Sequence, residues 1–265
     1  MIQKHREGGR NRVDIIQTFY NSMASRYDRL FFDWNATTHE QALILQKLFT
    51  DNGFDLTARV LDCACGIGTQ SIGLASLGYS VTASDISDEE LAEAKERAGK
   101  NDVAIRFAHA DFRALSEVFP EQFDIVIAMD NALPHMLTGL DLKLAVESIT
   151  GRIRPGGIFI ASIRDYDALL EEKPNYSPPY IHKTEKGQRV SFQTWAWESE
   201  KYRLIQYMID DEDTISTSRF VCEYRAVRRK ELTELLRSCG CSEVAWKFPK
   251  ETGFFQPLVI ARKEL

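Results

Sequence analysis

The segment VLDCACGIGTQ, residues 60–70, closes an apolar run with an acid, Asp62, and passes through small residues into Gly66-Ile67-Gly68. A second apolar run, VTASDIS (81–87), carries an acid at the same place, Asp85. Glycines after a strand let a ligand approach the backbone, and a carboxylate at the end of the following strand can accept from both hydroxyls of a ribose. Phosphate chemistry fits less well. A dinucleotide fingerprint wants a third glycine at 71, which is Ser71; a phosphate loop wants Lys before Ser or Thr, where this chain has Thr69-Gln70. The residues point to a nucleoside-like ligand without phosphates, held by Asp85.

Such residues need a sheet to bring them together. Residues 59–63, 80–84, 104–109, 123–129 and 157–163 read as short strands, and 69–77, 88–99 and 139–153 carry apolar residues at helical spacing. The alternation predicts right-handed crossovers and a parallel sheet covered on both faces. Upstream, 13–24 and 38–51 read as helices, the second capped by Thr37 or Thr38 and closed by Gly53. Beyond 172, EEKPNYSPPYIH (171–182) reads as a Pro-rich loop. Three aromatic, β-branched strands in series follow, predicting an antiparallel meander. A helix over 228–239 and a strand pair in SEVAWKF and QPLVIARK complete the chain. The expected fold is α/β: a doubly wound, mostly parallel, seven-stranded Rossmann-like sheet with N-terminal helices and an inserted meander. The expected divisions are a helical cap over 1–54, a core over 55–171 and 228–265, and the insertion over 172–227.

Composition excludes several functions. Hydrophobic residues make up 44% and charged residues 27%, ordinary for a soluble protein, and no run reaches the roughly 18 apolar residues of a membrane span. The basic, polar start lacks an export leader, so the expected location is cytoplasmic. A net charge of −6 and the lack of a broad basic stripe argue against nucleic acid as partner. Five cysteines include two C-x-C pairs, Cys63 with Cys65 and Cys239 with Cys241, a spacing that suits reduced thiols better than a metal site. Monomer and homo-oligomer both stay open.

Taken together, the motifs resemble those of class I S-adenosylmethionine-dependent methyltransferases. VLDCACGIGTQ is similar to their first motif, SDIS to their second, HADFRAL (109–115) to their third and FDIVIAMDNALPHM (123–136) to their fourth. The resemblance spans roughly residues 55–165. It implies S-adenosyl-L-methionine as cofactor, with the backbone at Ala64, Gly66 and Gly68 near its methionine part. Asp85 and Ile86 would hold the ribose and flank the adenine, Asp111 would accept from the adenine amine, and Phe112 would lie by the ring. Met129 is expected on the same wall. By residue type alone Asp85 could instead be a helix cap, and Phe112 a core aromatic.

Within that family the chain most resembles the glycine and sarcosine N-methyltransferases, through DNALPHM (130–136) and IRDYDALL (163–170). The likeness implies that Asn131 offers its side-chain oxygen near a substrate amine, that His135 fixes the cofactor wall, and that Arg164 clamps a carboxylate, as a planar fork can. Arg164 could otherwise pair with Asp165 or Asp167 on the surface. Tyr27 and Trp34 are placed like the family's cofactor-covering aromatics, with Thr37 where an arginine for the cofactor's carboxylate is expected. Tyr224 and, more weakly, Arg225 are candidates for the substrate wall. SPPY (177–180) looks like a base-methylating motif, but it follows the fifth strand rather than the fourth and reads as loop. The expected activity is methylation of a small amino acid-like amine; another small acceptor, or a non-catalytic cofactor-binding module, are the alternatives.

Overall fold

The computed structural model describes residues 16–265. A helix over 16–23 (α1) runs into a 3-10 segment, Ala24–Leu30, and then into α2, Trp34–Asp51. The expected helix start at 13 lies outside the described residues. Helix α2 begins earlier than the apolar pattern indicated, because Asp33 caps it by accepting from the Ala36 N–H at 3.0 Å. Thr37 is inside the helix, its hydroxyl turned back to the Asp33 carbonyl. Gly53, at φ 85°, takes the left-handed position past the helix end.

The central sheet has seven strands, with β1 at Arg59–Asp62, β2 at Ser80–Asp85, β3 at Arg106–His109, β4 at Phe123–Ala128 and β5 at Ile153–Ser162. These five are parallel, in the order β5-β4-β1-β2-β3. Strand β11, Leu258–Lys263, joins β5 antiparallel, and β10, Cys241–Lys247, pairs with β11. Crossover helices α3 (Thr69–Ser76), α4 (Asp88–Lys100) and α5 (Gly139–Thr150) connect the parallel strands. Helix α5 stops at Thr150, so β5 starts sooner than expected; Gly156 at φ 73° interrupts the pattern that hid it. The central strands are almost wholly buried, which is why they read as continuous apolar runs.

After β5 come α6, Tyr166–Glu172, and a four-stranded antiparallel sheet: β6 (Tyr180–Lys183), β7 (Gln188–Glu198), β8 (Lys201–Asp211) and β9 (Ile215–Arg225). The segment expected to be only a Pro-rich loop thus ends in an edge strand, with Tyr176 bridging Thr194. Tyr202, Leu204 and Met208 of β8 and Phe220, Cys222 and Tyr224 of β9 alternate toward one face and pack on Phe19 and Met23 of α1 and on Tyr166. Helix α7, Arg229–Ser238, returns the chain to β10. No helix among the described residues is long and apolar enough to cross a membrane.

Helices α2 and α3 touch at Gly73, where an added Cβ would meet the Thr38 carbonyl oxygen at 2.6 Å and the Ala42 Cβ at 2.7 Å. This contact braces the helix that leads out of the glycine turn. Gly73→Ala is therefore expected to destabilise the fold by roughly 1–3 kcal/mol through overpacking, despite alanine's better helix propensity. Urea unfolding checks it; a stability equal to or above the parent's would mean that α2 yields freely.

Candidate active site

Two cavities adjoin at the carboxyl ends of the parallel strands. The first, about 770 Å³, is floored by the β1–α3 turn, with Ala64, Gly66 and Thr69 on its lining. Residues from the ends of the next strands complete it: Asp85 and Ile86 after β2, Asp111 and Phe112 after β3, Met129 and Asp130 after β4. Tyr20, Tyr27 and His135 form its outer side. The second cavity, about 790 Å³, shares Tyr20, Tyr27 and Asp130 with the first and extends over Asn131, Arg164, Gln193 and Tyr224.

Asp85 is fixed before any ligand arrives. Its Oδ2 accepts from the Gly66 N–H at 2.9 Å and its Oδ1 from the Ser87 N–H at 3.0 Å. Each ionised carboxylate oxygen can take a second donor, so both stay available to a diol. Asp111 is gripped by the Arg113 guanidinium, whose Nη2 lies 2.6 Å from Oδ2 and whose Nη1 reaches Asp141. Glu90, on α4, is buried against this group with Oε1 lacking a partner.

Burial dominates the electrostatics. It raises the pKa of Asp62 to about 7 against the opposing hydrogen bond from Ser71, and that of Asp130 to about 6 against the one from Gln70. Burial also lifts Asp85, and lifts Glu90 well above the usual range with help from the Asp85 charge. His135 goes the other way: desolvation lowers it to about 3, so the ring is neutral. Its Nε2 lies 2.7 Å from the Tyr20 hydroxyl, and its ring lies on that of Tyr224 with centroids 4.3 Å apart. The first cavity is a buried acidic enclosure, suited to a ligand that carries positive charge.

Arg164 anchors the second cavity. Its guanidinium lies 4.9 Å from the Trp195 ring centre and 5.6 Å from that of Tyr224, and it donates to the Tyr202 hydroxyl at 3.0 Å and to Gln193 Oε1 at 3.1 Å. Asp165 and Asp167, its alternative surface partners, are both bound by Arg229 instead. Among the described residues no carboxylate pairs with Arg164, whose hydrogen-bond partners there are neutral oxygens.

Three expectations need correction. Asn131 does not turn its oxygen to the cavity, because Oδ1 already accepts from the Arg164 backbone N–H at 3.1 Å and the Tyr166 hydroxyl at 3.0 Å. The atom left without a partner is the amide nitrogen. Trp34 is not on either cavity: its indole N–H bonds Thr69 Oγ1 at 3.0 Å and its ring carries the Arg97 guanidinium at 4.7 Å. Gly68 also lies off the lining. At φ 91° it turns the chain into α3, and a Cβ there would press on Ile72 Cδ1 at 2.9 Å and face Ala94 at 3.4 Å. Arg225, the weaker candidate, is tied to Glu231 and the Met136 carbonyl.

The sequence reading missed Tyr20, Glu90, Asp130 and Gln193. For Asp130 the signal was present, an acid closing an apolar strand like Asp62 and Asp85. Tyr20 stands seven residues before Tyr27 (27 − 20), close to two helical turns, another usable cue. Glu90 and Gln193 gave none, since only the assembled tertiary structure brings them here.

Asp62, wholly buried, joins β1 to α3 through Ser71 Oγ at 2.7 Å. Its folded pKa of about 7 exceeds the roughly 3.9 of an unfolded chain, so its stabilisation is complete below about pH 4 and is lost as pH rises to 7. Asp62→Asn should make stability less dependent on pH across that window, as read by urea melts at pH 5 and 7.5. A slope as steep as the parent's would place the titration elsewhere.

The comparisons with known proteins agree with this geometry. Residues 60–157 match the family described as "Methyltransferase domain". The glycine/sarcosine N-methyltransferase of Parasynechococcus marenigrum is 33% identical over 155 residues, 58% of this chain and 54% of that protein. The glycine N-methyltransferase of Rattus norvegicus is 35% identical over 168 residues, 59% and 56% of the two chains. The chain thus spans about half the length of the curated relatives it matches. In fold it is similar to the CcbJ methyltransferase of Streptomyces caelestis, at a TM-score of 0.75 and 16% identity over 94% of this chain and 99% of that one. Another likeness is to CalS10, an amino pentose methyltransferase of Micromonospora echinaspora, at a TM-score of 0.70 and 19% identity over 85% and 91%. With the four motifs at the ends of β1 to β4, residues 60–157 form a methyltransferase domain whose motifs are similar to those of the class I S-adenosylmethionine-dependent enzymes.

Proposed function

We infer that the protein methylates the nitrogen of a small amine that also bears a carboxylate, with S-adenosyl-L-methionine as donor. The observation that carries the reading is Arg164: a cation without a carboxylate partner among the described residues, lining a cavity continuous with the acidic one. A buried charge left unpaired is costly, so an anionic ligand group gains most where such a charge waits. The relatives named for glycine and sarcosine fit an acceptor of this class.

The acidic cavity fits the donor by charge and by its orphaned acceptor atoms. Asp85 would take the ribose hydroxyls, Ile86 and Phe112 would lie by the adenine, and Asp111 would meet its amine. Ala64 and Gly66 line the methionine end, and Met129 and His135 wall the space between. Bound S-adenosylmethionine supplies a methyl group already activated by the sulfonium charge. The protein's share is alignment and the exclusion of water, and positioning alone can be worth roughly 7–11 kcal/mol. Tyr20 and Tyr27, common to both cavities, close the junction between them.

The direct test is mass spectrometry of products after incubation with methyl-labelled donor and a set of acceptors: carboxylate-bearing amines, the same amines without the carboxylate, and amino sugars. Methylation of the first group alone supports the reading; methylation of amino sugars alone overturns it. Arg164→Lys keeps the charge but loses the fork, and should raise KM for the carboxylate-bearing amine by about 10- to 100-fold, matching the 1.5–3 kcal/mol of a charged hydrogen-bond pair. KM for the donor should stay near the parent's. Equal KM values for the acceptor in variant and parent would remove Arg164 from the site.

A further inference from the structure

Residues 130 and 131 form an unusual turn. Both have left-handed backbones, Asp130 at φ 55° and Asn131 at φ 70°, a region that few residue types other than glycine, asparagine and aspartate adopt. The end of β5 holds them there: Ser162 Oγ accepts from the Asp130 N–H at 2.7 Å and the Ser162 carbonyl from the Asn131 N–H at 3.1 Å. The strained pair sits where the two cavities meet. Each residue spends half of its polar side chain on the protein and leaves the other half without a partner. Asp130 Oδ2 accepts from Gln70 at 3.0 Å, and that glutamine is itself held by Gln41; Asp130 Oδ1 is buried and bare. Asn131 spends Oδ1 on Arg164 and Tyr166 and leaves Nδ2 bare.

An orphaned acceptor beside an orphaned donor is the complement of an amine beside a carboxylate. We propose that Asp130 Oδ1 receives the acceptor's ammonium and takes its proton, while Asn131 Nδ2 joins Arg164 in holding the carboxylate. The proposal rests on the amine reading above and assigns within it the group that the Asn131 oxygen cannot supply. An ammonium has no lone pair, so it must lose a proton before it can attack. One N–H proton passes to Asp130; the freed pair forms the N–CH3 bond as the CH3–S bond breaks and its electrons return to sulfur. The methylated nitrogen then leaves as an ammonium, and Asp130 returns its proton to solvent.

The surroundings favour the transfer. Burial raises Asp130 to about 6, while the positive charges of Arg164 and the sulfonium weaken the ammonium's hold on its proton, which brings donor and acceptor closer in strength. The groups facing Asp130 are Gln70 from α3, Tyr20 from α1, Tyr27 from the 3-10 segment, Asp62 from β1, and Asn131 and Arg164 beyond β4 and β5. Besides Asp130 itself, only Asp62 among these titrates near neutrality, and it lies off both cavities.

Asp130→Asn tests this with little risk to the fold, since asparagine tolerates the left-handed backbone and can still accept from Gln70. First, the parent is assayed with the acceptor set above; a parent that methylates no amine overturns the amine reading itself. With an active parent, the variant should lose at least 100-fold in kcat/KM for the carboxylate-bearing amine. It should also lose the acid limb near pH 6, and bind S-adenosylmethionine within threefold of the parent by calorimetry. Activity within threefold of the parent overturns the role of Asp130 alone. A loss of donor affinity that accounts for the loss of activity also overturns it, and assigns Asp130 to the cofactor's own ammonium.

Discussion

Three carboxyl groups crowd the carboxyl ends of three adjacent parallel strands: Asp62 on β1, Asp85 on β2 and Asp130 just past β4. The sheet order β4-β1-β2 makes them neighbours, and among the described residues no Lys or Arg forms an ion pair with any of them. Each is instead held by neutral donors, a backbone N–H, a serine hydroxyl or a glutamine amide. Neutral donors soften the cost of burying an acid without cancelling it, so the enclosure keeps a negative potential. The turn glycines, the placement of α3 and the strained pair after β4 are all arranged around those acids.

Arg164, just past β5, supplies the opposite sign, and the second sheet surrounds it. That sheet brings Gln193, Trp195, Tyr202 and Tyr224 around the arginine, whose guanidinium is held by stacking and by neutral oxygens rather than by an anion. A ligand that is positive at one end and negative at the other is thus met by charge of both signs across a short junction. The tyrosine hydroxyls of residues 166 and 202, 2.9 Å apart, tie α6 to the meander.

What could be read from the sequence follows how local each determinant is. Asp85, Gly66 and the strand ends were legible because an apolar run, its closing acid and the turn after it are adjacent in the chain. The meander was legible from alternation within each strand. Trp34 misled because its place before the first strand suits a lid, while its indole is satisfied by Thr69 from another helix. Asn131 misled because the chemistry of an amide depends on which end is consumed, and that depends on Tyr166 and the Arg164 backbone, more than thirty residues on. Gln193 and Glu90 were invisible for the same reason: nothing near them in the chain states what they will face.

The two cavities draw on different parts of the chain, with Tyr20, Tyr27 and Asp130 as their shared border. The first cavity is lined chiefly by the turns that follow the parallel strands, which the folding of that sheet dictates. The second cavity takes residues from α1 and from the meander between α6 and α7, but its charged and amide groups, Asp130, Asn131 and Arg164, follow β4 and β5. Such a layout is separable in inheritance: a diverged meander reshapes one wall of the second cavity and leaves the turns that line the first untouched.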